Sequence, residues 1–185
     1  MKINKDFILA FTISSIAVIL DQISKSLILN YKFLLPMKVW SFDILNIVYV
    51  ENKGISFGML SEYNIPFLLG ILSFTISLYV IFLIVKSESK LELIGLSLIL
   101  GGAIGNGIDR LFSGYVIDFI DLYFRNFHWP AFNFADSFIT VGAVLFFIKL
   151  FFLNKKIIEN YAFQSHKLML FIYFTSNKMF VLMFN

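Results

Sequence analysis

Two aspartates lie in apolar surroundings, where an ionised carboxylate is costly. Asp118 lies in the run YVIDFI, and Asp136 ends the stretch WPAFNFAD, just before a long apolar segment. A charge at the centre of a membrane helix costs on the order of 2.5 to 3.5 kcal/mol, and less near the interface. Two acids that lie close together cannot both ionise easily, so such a pair can hold one proton near neutral pH.

A pair of this kind can catalyse hydrolysis without a metal ion. The ionised acid takes a proton from water, while the protonated acid hydrogen-bonds to the scissile carbonyl. The residue types leave alternatives open, because Asp121 would serve as well as Asp118. Helix N-capping is another explanation for Asp136, since an aspartate there accepts backbone N–H bonds and favours the helix dipole.

Other polar residues end the remaining apolar segments. The candidates that support or bind a substrate are Asp21, Lys25, Asn52, Gly54, Asn106, Asp109, Arg110 and Asn133. With four alternating membrane spans they all fall on one side of the membrane, together with the two acids. Polar groups that converge at one depth are typical of a site built inside a helical bundle.

Three of these features also have structural explanations. Asp21 and Lys25 are spaced i, i+4 and could form an ion pair on a helix surface. The Asn52-Lys53-Gly54 tripeptide could be a turn. Gly101 and Gly105 have the small-residue spacing that lets membrane helices approach closely, and packing is the better explanation for them.

The composition indicates a membrane protein. Of 185 residues, 59% are hydrophobic and only 15% charged, whereas soluble domains are roughly 45 to 50% apolar and 25% charged. The net charge of +3 comes from scattered lysines, without a basic stripe that would predict a nucleic-acid partner. No Cys and only two His are present, so thiolate chemistry is excluded and neither a metal nor a cofactor is predicted.

The apolar segments predict an all-α membrane protein with four transmembrane helices, at about 7–29, 64–85, 91–109 and 135–153. They form one domain, 1–156, followed by a tail, 157–185, without an assigned role. The β-branched and aromatic stretch 39–50 predicts a small extramembrane β-sheet, and the second connection, 112–134, lies on the same side. Basic residues are denser in the short segments, so both termini are expected in the cytoplasm and the sheet on the outer (periplasmic) face.

Taken together, these stretches resemble the lipoprotein signal peptidase (signal peptidase II) family of membrane aspartic endopeptidases, from about Phe7 to Leu153. In the family's second motif, which corresponds to the stretch ENKGISFG (51–58), Ser56 stands where the family usually has Ala. The matching residues, in chain order, are Asp21 and Lys25; Asn52, Gly54, Phe57 and Gly58; Gly101, Gly102, Gly105, Asn106, Asp109 and Arg110; Gly114, Val116, Asp118 and Phe119; and Phe132, Asn133, Ala135, Asp136 and Gly142.

The resemblance implies that Asp118, rather than Asp121, forms the catalytic dyad with Asp136. It also implies that Asn52, Asn106, Arg110 and Asn133 position the substrate or the dyad, and that Asp21 and Lys25 hold the scaffold of the site. It also implies the substrates: prolipoproteins, cut before a Cys that carries a diacylglyceryl group. The expected location is the bacterial cytoplasmic (inner) membrane, among membrane lipids and with the site near its outer face, and the expected inhibitor is the cyclic peptide globomycin.

Two other classes of protein remain as alternatives. A small proton-coupled transporter would also use buried acids, although inverted repeats are not evident in the sequence. A scaffold protein without catalytic activity would use Gly101 and Gly105 for packing and would tolerate replacement of both acids.

Overall fold

The computed structural model of the chain describes residues 5–38, 44–54 and 63–151. The motif residues Ser56, Phe57 and Gly58, the start of the predicted strand region (39–43) and the tail 157–185 lie outside these ranges. The chain divides into two compact units, Met1–Phe146 and Phe147–Asn185. All of the candidate site residues belong to the first unit.

Among the described residues, four helices are long and apolar enough to cross a membrane, as the sequence predicts. They are α1 (Lys5–Tyr31), α2 (Pro66–Lys86), α3 (Lys90–Phe112) and α4 (Phe134–Phe151). Their ends differ from the predicted ones by a few residues, for local reasons. α2 begins at Pro66 because the first helical turn does not need its missing N–H, and α3 begins after Ser89, whose hydroxyl accepts a bond from the Glu92 N–H at 3.2 Å.

α3 is the central helix of the bundle. Of its apolar window 61% is buried, compared with 28% or less in the other three helices. Glycines allow this close packing: a Cβ at Gly101 would lie 2.6 Å from the Cβ of Ala17 on α1, and a Cβ at Gly102 would overlap the Ala135 carbonyl on α4. The predicted packing role of Gly101 and Gly105 is confirmed, because a Cβ at Gly105 would also lie 2.5 Å from the Asp21 carboxylate.

The bundle has an apolar core away from the polar residues. Six buried side chains from α1, α2 and α3 form it: Ala10, Val80, Ile84, Leu93, Leu96 and Leu100. Where α1 crosses α3, the Ser14 hydroxyl donates to the Ser97 carbonyl at 2.9 Å. Small side chains therefore bring these two helices together along their length.

A small antiparallel sheet lies outside the helices, as predicted. Its strands are β1 (Met37–Lys38), β2 (Leu45–Asn52), β3 (Val116–Phe124) and β4 (Phe127–His128), in the order β1-β2-β3-β4. The prediction missed β3, which lies in the second connection and pairs with β2 from Leu45↔Leu122 to Asn52↔Val116. The two connections therefore face each other, as expected, and they do so as paired strands.

Candidate active site

Asp136 lies in the first turn of α4, and Asn133 caps that helix. The Asn133 side-chain oxygen accepts the Asp136 backbone N–H at 2.9 Å, and the Asp136 carboxylate accepts the Asn133 N–H at 3.3 Å. This reciprocal pair is a capping box, in which the acid is the third helical residue. The explanation of Asp136 as the N-cap residue is therefore wrong, because Asn133 occupies that position. The Asp136 carboxylate does contribute to the start of the helix through its bond to the Asn133 N–H.

Asp118 lies on β3 with 2% of its surface exposed. Its two oxygens accept side-chain N–H bonds from Asn133 at 2.7 Å and from Asn52 at 2.9 Å. Burial raises the pKa of Asp118 to about 6, the charge of Asp136 also raises it, and the two asparagine bonds oppose the increase. A carboxyl group with this pKa can carry a proton close to neutral pH.

Asn133 joins the two acids. Its amide nitrogen donates to Asp118, while its backbone N–H and side-chain oxygen bind Asp136. Asn106 on α3 donates its amide N–H to the other Asp136 oxygen at 2.8 Å. The structure thus brings together the two acids that the sequence pairs only as a hypothesis, and each of their four oxygens accepts one N–H group.

Asp121 points away from this cluster. Because side chains alternate along a strand, residues three apart lie on opposite faces of the sheet. Asp121 is within 2.9 Å of His128 Nδ1 on β4 and accepts an N–H from Asn46 at 2.9 Å. The structure therefore separates the two candidates that the residue types alone could not distinguish.

Asp21 and Lys25 are buried, with 0% and 2% of their surfaces exposed, so the interpretation of a surface ion pair is wrong. The Lys25 ammonium lies 2.8 Å from Asp21, 2.7 Å from Asp109 and 2.9 Å from the Asn106 side-chain oxygen. The other Asp21 oxygen accepts the N–H of Ala135 at 2.9 Å. This ion cluster connects α1 and α3 to the first turn of α4.

Gln22 is a member of this cluster that the sequence did not predict. Its amide nitrogen donates to Asp109 Oδ1 at 3.0 Å and to the Gly105 carbonyl at 3.2 Å. A glutamine is not unusual at a span end, and the only available signal was its position next to Asp21. Its bonds satisfy a carboxylate oxygen that Lys25 does not reach.

Arg110 and Gly54 connect the end of α3 to the sheet. The Arg110 guanidinium donates to the Gly54 carbonyl at 3.0 Å, and the Gly54 N–H donates to the side-chain oxygen of Asn52 at 2.9 Å. The positive charge of Arg110 also acts on Asp136 and Asp118. The predicted turn is therefore present, and it orients Asn52 toward Asp118.

The two acids line a cavity of about 740 Å³ together with Asn52, Asn106 and Arg110. Along α3 the lining residues are Ile99, Ala103, Asn106 and Arg110, a stripe of roughly 16 Å. Its polar members lie at the helix end, and its apolar members lie toward the helix middle. Ile76 of α2 and Ile139 of α4 extend the apolar wall. The cavity can hold a molecule that is polar at one end and apolar along the rest.

Among the described residues no group of three or more His, Asp or Glu side chains could hold a metal ion. The chemistry that these residues themselves offer is proton transfer by two carboxyl groups that share the hydrogen-bonding partner Asn133. This is the acid–base arrangement that the sequence predicts for hydrolysis.

The sequence profile of the family described as Signal peptidase (SPase) II matches residues 13–152. The lipoprotein signal peptidase of Rickettsia canadensis (strain McKiel) is 44% identical over 152 residues, 78% of this chain and 75% of that protein. That of Thermodesulfovibrio yellowstonii is 43% identical over 152 residues, 80% and 96% of the two chains. A solved structure described as a bacterial membrane enzyme is similar with a TM-score of 0.69 and 32% identity, over 77% of this chain and 87% of that one. These relatives give no support to the alternative of a proton-coupled transporter.

Proposed function

This chain belongs to the signal peptidase II family, and we propose that it removes the signal peptides of prolipoproteins with Asp118 and Asp136 as its two catalytic acids. The observation that carries the proposal is the double contact of Asn133, whose amide nitrogen binds Asp118 while its oxygen and backbone N–H bind Asp136. Both acids also line the same cavity.

In the proposed reaction the two acids have different roles. Asp118, whose pKa burial raises to about 6, carries the shared proton and hydrogen-bonds to the scissile carbonyl. Asp136 takes a proton from water, and the hydroxide forms a bond to the carbonyl carbon. When the tetrahedral intermediate collapses, the C–N bond breaks and the leaving nitrogen receives the proton that Asp136 holds.

The shape of the cavity fits a lipid-modified substrate. The polar stretch around Asn106 and Arg110 would hold the peptide bond, and the apolar stretch toward Ile99 would face the signal peptide or its lipid. We propose cleavage before a diacylglyceryl-modified Cys, because such a lipid keeps the bond near the membrane surface, where the span ends lie. The enzyme would then lie in the bacterial cytoplasmic membrane, with both termini inside and the sheet outside.

The test is cleavage of a purified diacylglyceryl-modified prolipoprotein, followed by the appearance of free signal peptide, with and without globomycin. We expect cleavage that globomycin inhibits, and a loss of about 10² to 10⁴-fold in rate in Asp118→Asn and in Asp136→Asn. Asp121→Asn is the matched control, because that side chain lies on the same strand but faces away from the cavity.

Folding is checked by comparing the thermal unfolding of the variants in the same detergent. Full activity in either dyad variant would contradict the assignment of the two acids. Transport of an ion into liposomes, without any peptide cleavage, would instead support the transporter.

A further inference from the structure

Three asparagine side chains donate to the two acids, and the oxygen of each amide is held by a group that donates a hydrogen bond. The Asn52 oxygen accepts from the Gly54 N–H, the Asn133 oxygen from the Asp136 N–H, and the Asn106 oxygen from the Lys25 ammonium. Backbone N–H and ammonium groups can only donate. All three amides are therefore oriented with their nitrogens toward a carboxylate.

The orientation matters because the two ends of an amide have nearly the same shape and opposite hydrogen-bonding character. If the Asn106 amide turned over, its oxygen would face Asp136 and could accept a hydrogen bond from the protonated carboxyl group. Asp136 would then be stable as the neutral acid. In the orientation observed, Asn106 offers Asp136 only an N–H at 2.8 Å, which favours the ionised carboxylate.

Resting on the proposed function, we propose that Lys25 is a positioning residue of the reaction. It holds the Asn106 oxygen at 2.9 Å and so keeps the nitrogen of that amide toward Asp136. Asp136 then stays ionised and able to take a proton from water. A turned-over amide would place its NH₂ against the ammonium, two donors face to face. Asn133 supplies a second, longer donor to the same Asn106 oxygen, at 3.3 Å. Lys25 supplies the shorter contact and the only charge of the two.

Several charged groups surround this arrangement. α1 contributes Asp21 and Lys25, α3 contributes Asp109 and Arg110, and β3 contributes Asp118. Lys25 therefore has two possible roles, neutralising Asp21 and Asp109 or orienting Asn106. The two roles predict different effects on the dependence of cleavage on pH.

The experiment measures kcat for prolipoprotein cleavage from pH 4.5 to 8.5. In Lys25→Met we expect the acidic limb of the pH–rate profile, where kcat falls as the pH is lowered, to move up by about one pH unit. The rate on that limb then falls about tenfold, while the rate at high pH falls less. Lys25→Met/Asp109→Asn is the companion variant, because it keeps the net charge of the buried cluster. It should show the same displacement of the limb.

Asp109→Asn alone is the matched control, since it leaves the contact between Lys25 and Asn106 in place and removes one negative charge from the cluster, so it should not move the limb to higher pH. In an Asn106→Leu background, which has no amide to orient, adding Lys25→Met should move the limb no further. A limb that does not move in the charge-balanced variant, or that moves equally in the Asn106→Leu background, overturns the proposal. If the wild-type protein cleaves nothing at any pH, the proposed function itself fails, which is a different result.

Discussion

The two faces of β3 carry buried acids with similar partners and different surroundings. Asp118 and Asp121 are three residues apart, and each accepts a hydrogen bond from an asparagine of β2, Asn52 and Asn46 respectively. Toward the cavity, Asp118 meets a second acid through Asn133, whereas on the other face Asp121 meets His128. An asparagine of β2 therefore binds each carboxylate in the same way. The difference lies in the other neighbour, which is linked to a second acid for Asp118 and is a histidine for Asp121, so that Asp118 is the acid suited to proton transfer.

The largest effect that tests this comparison is expected from the asparagine shared by the two acids. Asn133→Ala removes the donor to Asp118 and the cap of α4, so we expect a loss of about 10² to 10³-fold in kcat. Asn46→Ala, the control on the opposite face, should retain cleavage within about threefold, since it costs a single hydrogen bond, about 1 kcal/mol of stability. Equal losses in the two variants would mean that the faces do not differ in function.

A smaller effect is expected from Asn52, and its sign is given by the pKa of Asp118. The bond from Asn52 favours the ionised form and opposes the increase to about 6. Asn52→Leu should therefore raise the pKa of Asp118 further, so that its proton is retained to higher pH and the alkaline limb of kcat moves up. The measurement is a pH–rate profile, with Asn46→Leu as the matched control. An alkaline limb that moves to lower pH would contradict the role of Asp118 as the proton carrier.

The smallest effect is expected on the opposite face. The His128 side chain is 53% exposed, and its ion pair with Asp121 requires the protonated ring. Because the histidine side of this pair is open to solvent, the pair contributes about 0 to 1 kcal/mol, so His128→Phe should lower the unfolding free energy by less than about 1 kcal/mol and leave kcat unchanged. Thermal unfolding and the cleavage assay measure the two quantities. A large loss of cleavage would show that the face of the sheet that carries Asp121 takes part in the reaction.

Much of the fold follows from composition, because four long apolar segments allow few arrangements other than four spans. The missed strand β3 is different: VIDFIDLYF contains two acids among apolar residues, and its burial on both faces hides the alternation that identifies a surface strand. Had this segment been recognised as a strand, the period of two would by itself have placed Asp118 and Asp121 on opposite faces.

The sequence also predicted that Asp136 needs a partner, since an unpaired acid at a span end is costly. It did not predict the buried ion cluster, because the i, i+4 spacing of Asp21 and Lys25 is the same on a helix surface and in a helix interface. What distinguishes the two is the absence of a side chain at Gly105, which lets α3 approach the Asp21 carboxylate. That approach is a property of two helices together, which a single segment cannot show.

The capping box at the start of α4 also bears on how the protein enters the membrane. Spans insert as separate helices before they associate, and a polar group in lipid must then find its partners within its own segment. Asp136 accepts an N–H from Asn133, only three residues earlier, and lies in the first turn, where the helix dipole favours negative charge. The fourth span can thus carry its acid to the membrane edge during biogenesis, before Asp118 and Asn106 have reached it.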